Sequence, residues 1–174
     1  MNIVLGILVV IIVLAAMGAA LVRLSSDDPA RWHVDPMTAA RTGAPNDWLL
    51  APQSTAVADG AAPVWQATPA TLMQAIDALA LAQPNTALVA RGPDPLMATY
   101  VQRSALMRYP DYISVRALPA GEGRATLAIF SRSRYGQSDL GVNAKRVSAW
   151  LVAIPLPQAA IPSPEAAIPL SEAD

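Results

Sequence analysis

The sequence predicts an α+β fold, a small, mostly antiparallel sheet of about four strands with one helix before it and one after it (α-β-β-β-β-α), preceded by an N-terminal transmembrane helix. Three observations point there. Four short runs rich in Val, Ile, Thr and Tyr follow one another between residues 86 and 131, separated by turn residues. Apolar residues recur at helical spacing before and after them. Residues 3–22 contain no charged or strongly polar side chain.

At about 1.5 Å per residue, the run IVLGILVVIIVLAAMGAALV covers the ~30 Å hydrocarbon layer of a bilayer, so residues 1–23 read as an anchor held in lipid through residues 3–22. A cleaved signal peptide competes, because Gly18-Ala19-Ala20 supplies the small residues that a signal peptidase accepts. Against it, no Lys or Arg precedes the run, which also exceeds the ~7–15 residues usual for a signal-peptide core. The nearest cations, Arg23 and Arg31, follow the run; the positive-inside tendency taken alone would leave the rest of the chain in the cytoplasm.

Residues 24–67 hold five prolines and no sustained period of 2 or 3.6, which reads as an extended arm. Trp32, Trp48, Leu49, Leu50 and Trp65 are too apolar for a free linker, so parts of the arm are expected to lie on the domain and cover apolar surface.

A globular domain spans residues 68–154. Thr68 caps a first helix, with proline at the first helical position, and Leu72, Met73, Ile76, Leu79 and Ala80 place it over Pro69 to Leu81. Strands are expected at Thr86 to Arg91, Leu96 to Arg103, Tyr112 to Leu118 and Arg124 to Ser131, linked by GPDP and PAGEG turns. Ile113 and Val115 alternate with Tyr112, Ser114 and Arg116, which predicts one buried and one wet face. The second helix starts at Ser138 or Asp139 and carries Leu140, Val147, Trp150, Leu151 and Ile154 on its apolar side. Residues 155–174, with five prolines and no apolar period, read as a disordered tail.

The chain has no cysteine, which excludes disulfides, thiolate nucleophiles and Cys-containing zinc sites. His33 is the only histidine, and the carboxylates show no cage spacing, so neither a metal nor a cofactor is expected. No Gly-rich phosphate loop or GxSxG elbow occurs. A net charge of −1 argues against nucleic acid as a partner. Between Tyr100 and Trp150, however, eight basic residues face three acidic ones, so this half is locally basic.

The strings YVQRSALMRYPDYISVR, FSRSRYGQSDLGVNAKRVSAWL and DPARWHVDP together resemble the domain-of-unknown-function family DUF1499, over about Trp65 to Ile154 plus the arm. The resemblance implies a small domain often attached to the membrane or exported, without an established activity, so no catalytic residue carries over. Lys145 and Arg146 fit the family's basic position after the asparagine. Exported relatives imply a single-pass protein of the bacterial inner membrane, with its domain outside the cytoplasm.

The best candidate site is the strand-to-helix junction. Helix-start amides carry a partial charge of about +0.5, and Arg132, Arg134, Ser138, Asn143 and Arg146 around them would form an anion-binding corner. In the competing reading Asp139 is itself that anion: it caps the helix and pairs with an arginine, Asp111 pairs likewise, and the corner is structural. Tyr100, Gln102, Arg103, Tyr109, Asp111 and Tyr112 form a second polar-aromatic group, read first as strand packing. His33 and Asp35 read as a loop histidine held by its neighbouring acid. The functional expectation is a non-enzymatic binding or scaffolding domain near the bilayer surface, with an envelope protein or an anionic headgroup as partner. Its rival is an enzyme or small-molecule carrier that uses the arginine corner.

Overall fold

In a computed structural model, which describes residues 3–53, 55 and 57–159, the chain forms an α+β fold behind one long apolar helix. That helix, α1 (Ile3–Arg23), contains an 18-residue stretch of mean hydropathy 3.0, buries no side chain against the other described residues, and is long and apolar enough to cross a membrane. A single turn, α2 (Pro29–Trp32), follows, capped by Asp28, whose Oδ1 accepts from the Ala30 amide at 3.0 Å.

The sheet has six strands rather than four: β1 (Asp47–Ala51), β2 (Gly60–Ala61), β3 (Thr86–Arg91), β4 (Met97–Arg103), β5 (Pro110–Pro119) and β6 (Ala125–Ser133). Their order is β2-β1-β6-β5-β4-β3. The last four match the expected runs to within two residues at each end, and they pair antiparallel. The two additional strands come from the proline-rich stretch. β1 pairs antiparallel with β6, placing Leu49 opposite Phe130, and β2 adds in parallel at the edge, which makes the sheet mixed.

Both helices of the domain cover one face. In α3 (Pro69–Ala82) Thr68 Oγ1 accepts from the Thr71 amide at 3.1 Å, and Leu72, Met73, Ile76 and Ala80 turn inward. They meet Ile113, Val115, Leu127 and Ile129 from the strands and Val147, Trp150 and Ile154 of α4 (Val142–Ala153). Trp65, fully buried, closes this core from the chain between β2 and α3.

The opposite face is not wet. Tyr112 and Ser114, expected on the solvent side of β5, are completely buried, because residues 32–39 run across them. Trp32 packs on Tyr112 and Val101, while Val34, Met37 and Ala39 cover Leu49, Ala51, Ala128 and Phe130. A half-polar strand face is thus roofed by the chain leaving α1.

Two further differences bear on the site. The second helix starts at Val142, three residues beyond Asp139, and Leu140 lies outside it, 86% exposed and in a left-handed conformation (φ 54°). Residues 155–159 continue along the domain: Leu156 packs on the main core, and the Ala159 amide donates to Val64 O at 2.7 Å. The remainder of the stretch read as a disordered tail, 160–174, lies outside the described residues.

Candidate functional site

Residues that are neighbours in a strand point to opposite faces of its sheet. At the end of β6 this divides the predicted corner in two. Ser131 and Ser133 face the helices, and Arg132 and Arg134 face the arm. The structure therefore brings Ser138, Asp139, Asn143, Arg146 and Asp111 together and leaves Arg132 and Arg134 on the other side of the sheet.

On the helix side Asn143, fully buried, is the hub. Its Nδ2 donates to Asn46 O at 3.0 Å and to Ser133 Oγ at 3.1 Å; its Oδ1 accepts from Ser131 Oγ at 2.6 Å and from Arg146 Nη1 at 2.5 Å. Arg146 extends the network, donating from Nε to Gln102 Oε1 and from Nη2 to Asp111 Oδ2, both at 2.6 Å. Asp139 takes the helix-start amides, accepting from Gly141 N at 2.9 Å and Asn143 N at 2.7 Å, while Ser138 Oγ accepts from Leu140 N at 3.3 Å. The donors that could have received an outside anion are largely occupied by the chain's own oxygens. Asp111, not Asp139, is the arginine's carboxylate partner.

On the arm side Arg132 is 6% exposed, its guanidinium 4.9 Å from the Phe130 ring centre and 5.4 Å from that of Trp32. Its Nη2 donates to Trp32 O at 2.9 Å, and its buried Nη1 has no partner among the described residues. Burial lowers its pKa to about 10, since a guanidinium held between rings loses its water. Arg134 Nη1 donates to Ser26 O at 2.8 Å and to the Tyr112 hydroxyl at 3.3 Å. That hydroxyl donates in turn to Asp27 Oδ1 at 2.7 Å, and Arg103 Nη2 reaches the two Asp27 oxygens at 2.8 and 2.9 Å. Burial, and then the bond to Asp27, push the Tyr112 pKa up to about 12. Arg103 and Tyr112 of the sheet, with Arg134 just past the end of β6, thus hold the segment directly after α1, and Arg23 Nη2 donates to Leu106 O at 3.4 Å.

The second predicted group is also split. Tyr100 donates to Asp77 and packs edge-on to Trp150, ring centres 6.1 Å apart, as a core residue. Gln102 and Asp111 belong to the Arg146 network, and Arg103 and Tyr112 to the Asp27 clamp. Tyr109 meets Tyr135 at 6.0 Å and rims a cleft of about 400 Å³ between the β4–β5 turn and the β6–α4 loop, lined also by Ser104, Asp111, Ser133 and Val142. A neighbouring cleft of about 360 Å³ contains Arg41, Asp47 and Asp59, already paired with one another. His33 is not held by Asp35: its Nδ1 lies 3.0 Å from Thr99 Oγ1, and Asp35 pairs with Arg116. Among the described residues no group of three or more His, Cys, Asp or Glu side chains comes together. Asp27, Trp32, Asn46, Ser131 and Ser133 were not among the expected site residues. For Trp32 the sequence signal is its apolar bulk in the proline-rich stretch, and for Ser131 and Ser133 it is a pair of small hydroxyls at alternate positions of one strand.

The family model described as protein of unknown function (DUF1499) matches residues 34–154. The chain belongs to this family. The DUF1499 match contains every element from β1 to α4, so both strands of the proline-rich stretch fall within it, whereas α1, Asp27 and Trp32 precede it. No curated protein and no solved structure matches the chain.

Proposed function

We propose that the chain is a single-pass protein of the bacterial inner membrane whose DUF1499 domain, outside the cytoplasm, binds or organises a partner beside the bilayer without catalysing a reaction. One observation carries this reading: Arg103, Tyr112 and Arg134 grip Ser26 and Asp27, three and four residues after α1, so the helix leaves the domain at the end that bears the tyrosine cleft. Arg23, Arg108 and Arg134 supply cations at that end, which suits an acidic envelope protein or an anionic headgroup. An enzyme or carrier with one anion site at the arginine corner is less well supported, because the sheet separates Arg132 and Arg134 from the helix start.

Protease treatment of spheroplasts is expected to digest the domain. A photocrosslinker replacing Tyr135 in the full chain is expected to trap a partner protein or anionic lipid in membranes, while the same group at Val152 traps neither. Equal labelling at both positions, or none, overturns the proposal.

A further inference from the structure

Resting on the anchored reading above, we infer that the anchor end of the domain also wedges apolar side chains, chiefly Leu106 and Leu140, into the surface of the bilayer that α1 crosses. Strand pairing defines that end. Arg103 of β4 faces Pro110 of β5, and Asp111 of β5 faces Ser133 of β6, so the β4–β5 turn and the β6–α4 loop emerge together. Leu106 on the first is 79% exposed and Leu140 on the second is 86% exposed; Met107, Tyr109 and Tyr135 are partly exposed beside them. Large apolar side chains gathered at one end of a domain need a partner surface.

The occupant is set by continuity with α1. Arg23, the last residue of that helix, donates to the carbonyl of Leu106 itself, so this turn lies where the helix emerges from the hydrocarbon. Tyrosines that rim such a surface match the headgroup layer, where one end of the ring is wet and the other apolar. Arg23 and Arg108 flank Leu106 and Met107 with positive charge, as anionic headgroups favour.

Leu140 adds an independent argument. A leucine at φ 54° is sterically disfavoured, and a polar residue or glycine would fit the same turn at lower cost. Its conformation is enforced from both sides: its own amide donates to Ser138 Oγ, and the following amides of Gly141 and Asn143 donate to Asp139. The loop is built to hold an apolar side chain outward, next to the cleft-lining Val142.

The chain has no native cysteine, so single-cysteine variants Leu106→Cys, Leu140→Cys and Val152→Cys of the full chain can each carry one environment-sensitive fluorophore. Val152, 87% exposed, sits near the far end of α4, about 15 Å from Val142 along the helix. The variants are reconstituted in phosphatidylcholine–phosphatidylglycerol vesicles. At 106 and 140 emission is expected to shift to the blue, to lose iodide quenching and to be quenched by a shallow acyl-chain nitroxide; at 152 it stays aqueous. Chain retained on the vesicles with all three labels iodide-quenched overturns the insertion alone. A blue shift without nitroxide quenching assigns the patch to a second copy or another protein and also overturns it. Release of the chain by alkaline carbonate removes the anchored reading and the insertion together.

Discussion

The rings of Trp32 and Tyr112 lie flat against each other, centres 3.9 Å apart and planes 5° from parallel. This contact joins the chain leaving α1 to the middle of the sheet. Trp32→Ala is expected to cost about 3–5 kcal/mol, the range for emptying a large aromatic site. Tyr112→Phe keeps the stack, loses the hydroxyl bond to Asp27 and should cost about 2 kcal/mol. Thermal unfolding of the full chain in detergent, followed by near-ultraviolet circular dichroism, orders the two.

Asn143 serves two acceptors and two donors without contact to water. Asn143→Ala strands these partners and is expected to destabilise by about 3 kcal/mol. Asn143→Asp sets a carboxylate oxygen against Asn46 O, so its melting temperature should fall further as pH rises above the ordinary carboxylate range. A pH-independent deficit would contradict the assigned hydrogen bonds.

Arg146 and Asp111 form a largely enclosed pair, with side chains 9% and 15% exposed. Arg146→Met leaves an unpaired carboxylate and loosens Asn143, for a loss of about 3–5 kcal/mol. In a double-mutant cycle with Asp111→Asn, the coupling is expected to be favourable by about 1–3 kcal/mol. Additive losses would show that the two act separately.

Much of this was legible and some was not, for reasons that reside in particular residues. Thr68-Pro69, the 3.6-residue period after it and the four strand runs declare themselves, because each presents local chemistry with one solution. β1 does not. DWLLA is buried on both faces, Leu49 under the arm and Leu50 under the helices, so it lacks the alternation that marks a strand. Tyr112 and Ser114 look solvent-facing because the residues that cover them lie 80 positions earlier, around Trp32. The arginine corner appeared to be one site because Arg132, Arg134, Asn143 and Arg146 are close along the chain. The pleat of β6 sorts odd from even positions and sends the first two to the opposite face.

A polypeptide of residues 68–154 omits β1, β2 and Trp65, and is expected to stay unfolded. One of residues 25–159 retains both strands, the arm and the Trp65–Gln158 bridge, and should unfold cooperatively. Amide proton dispersion distinguishes them. A well-dispersed spectrum from the shorter piece would show that β1 is dispensable.

Acid sensitivity is expected from Asp47. Burial alone would raise its pKa, but bonds from Arg41 and from Thr42 outweigh burial and hold it below the ordinary 3.8. The stabilisation is therefore complete above pH 3.8 and disappears as pH falls through the lower folded value. Asp47→Asn should cost about 2 kcal/mol at neutral pH and flatten that acid limb in equilibrium unfolding.

The grip on Asp27 also limits movement. Four residue steps separate it from Arg23, a reach of at most about 14 Å even fully stretched. If α1 stays in the bilayer, as proposed above, a head on so short a leash patrols a plane rather than a volume, and its encounters are governed by density per unit area rather than by concentration in solution.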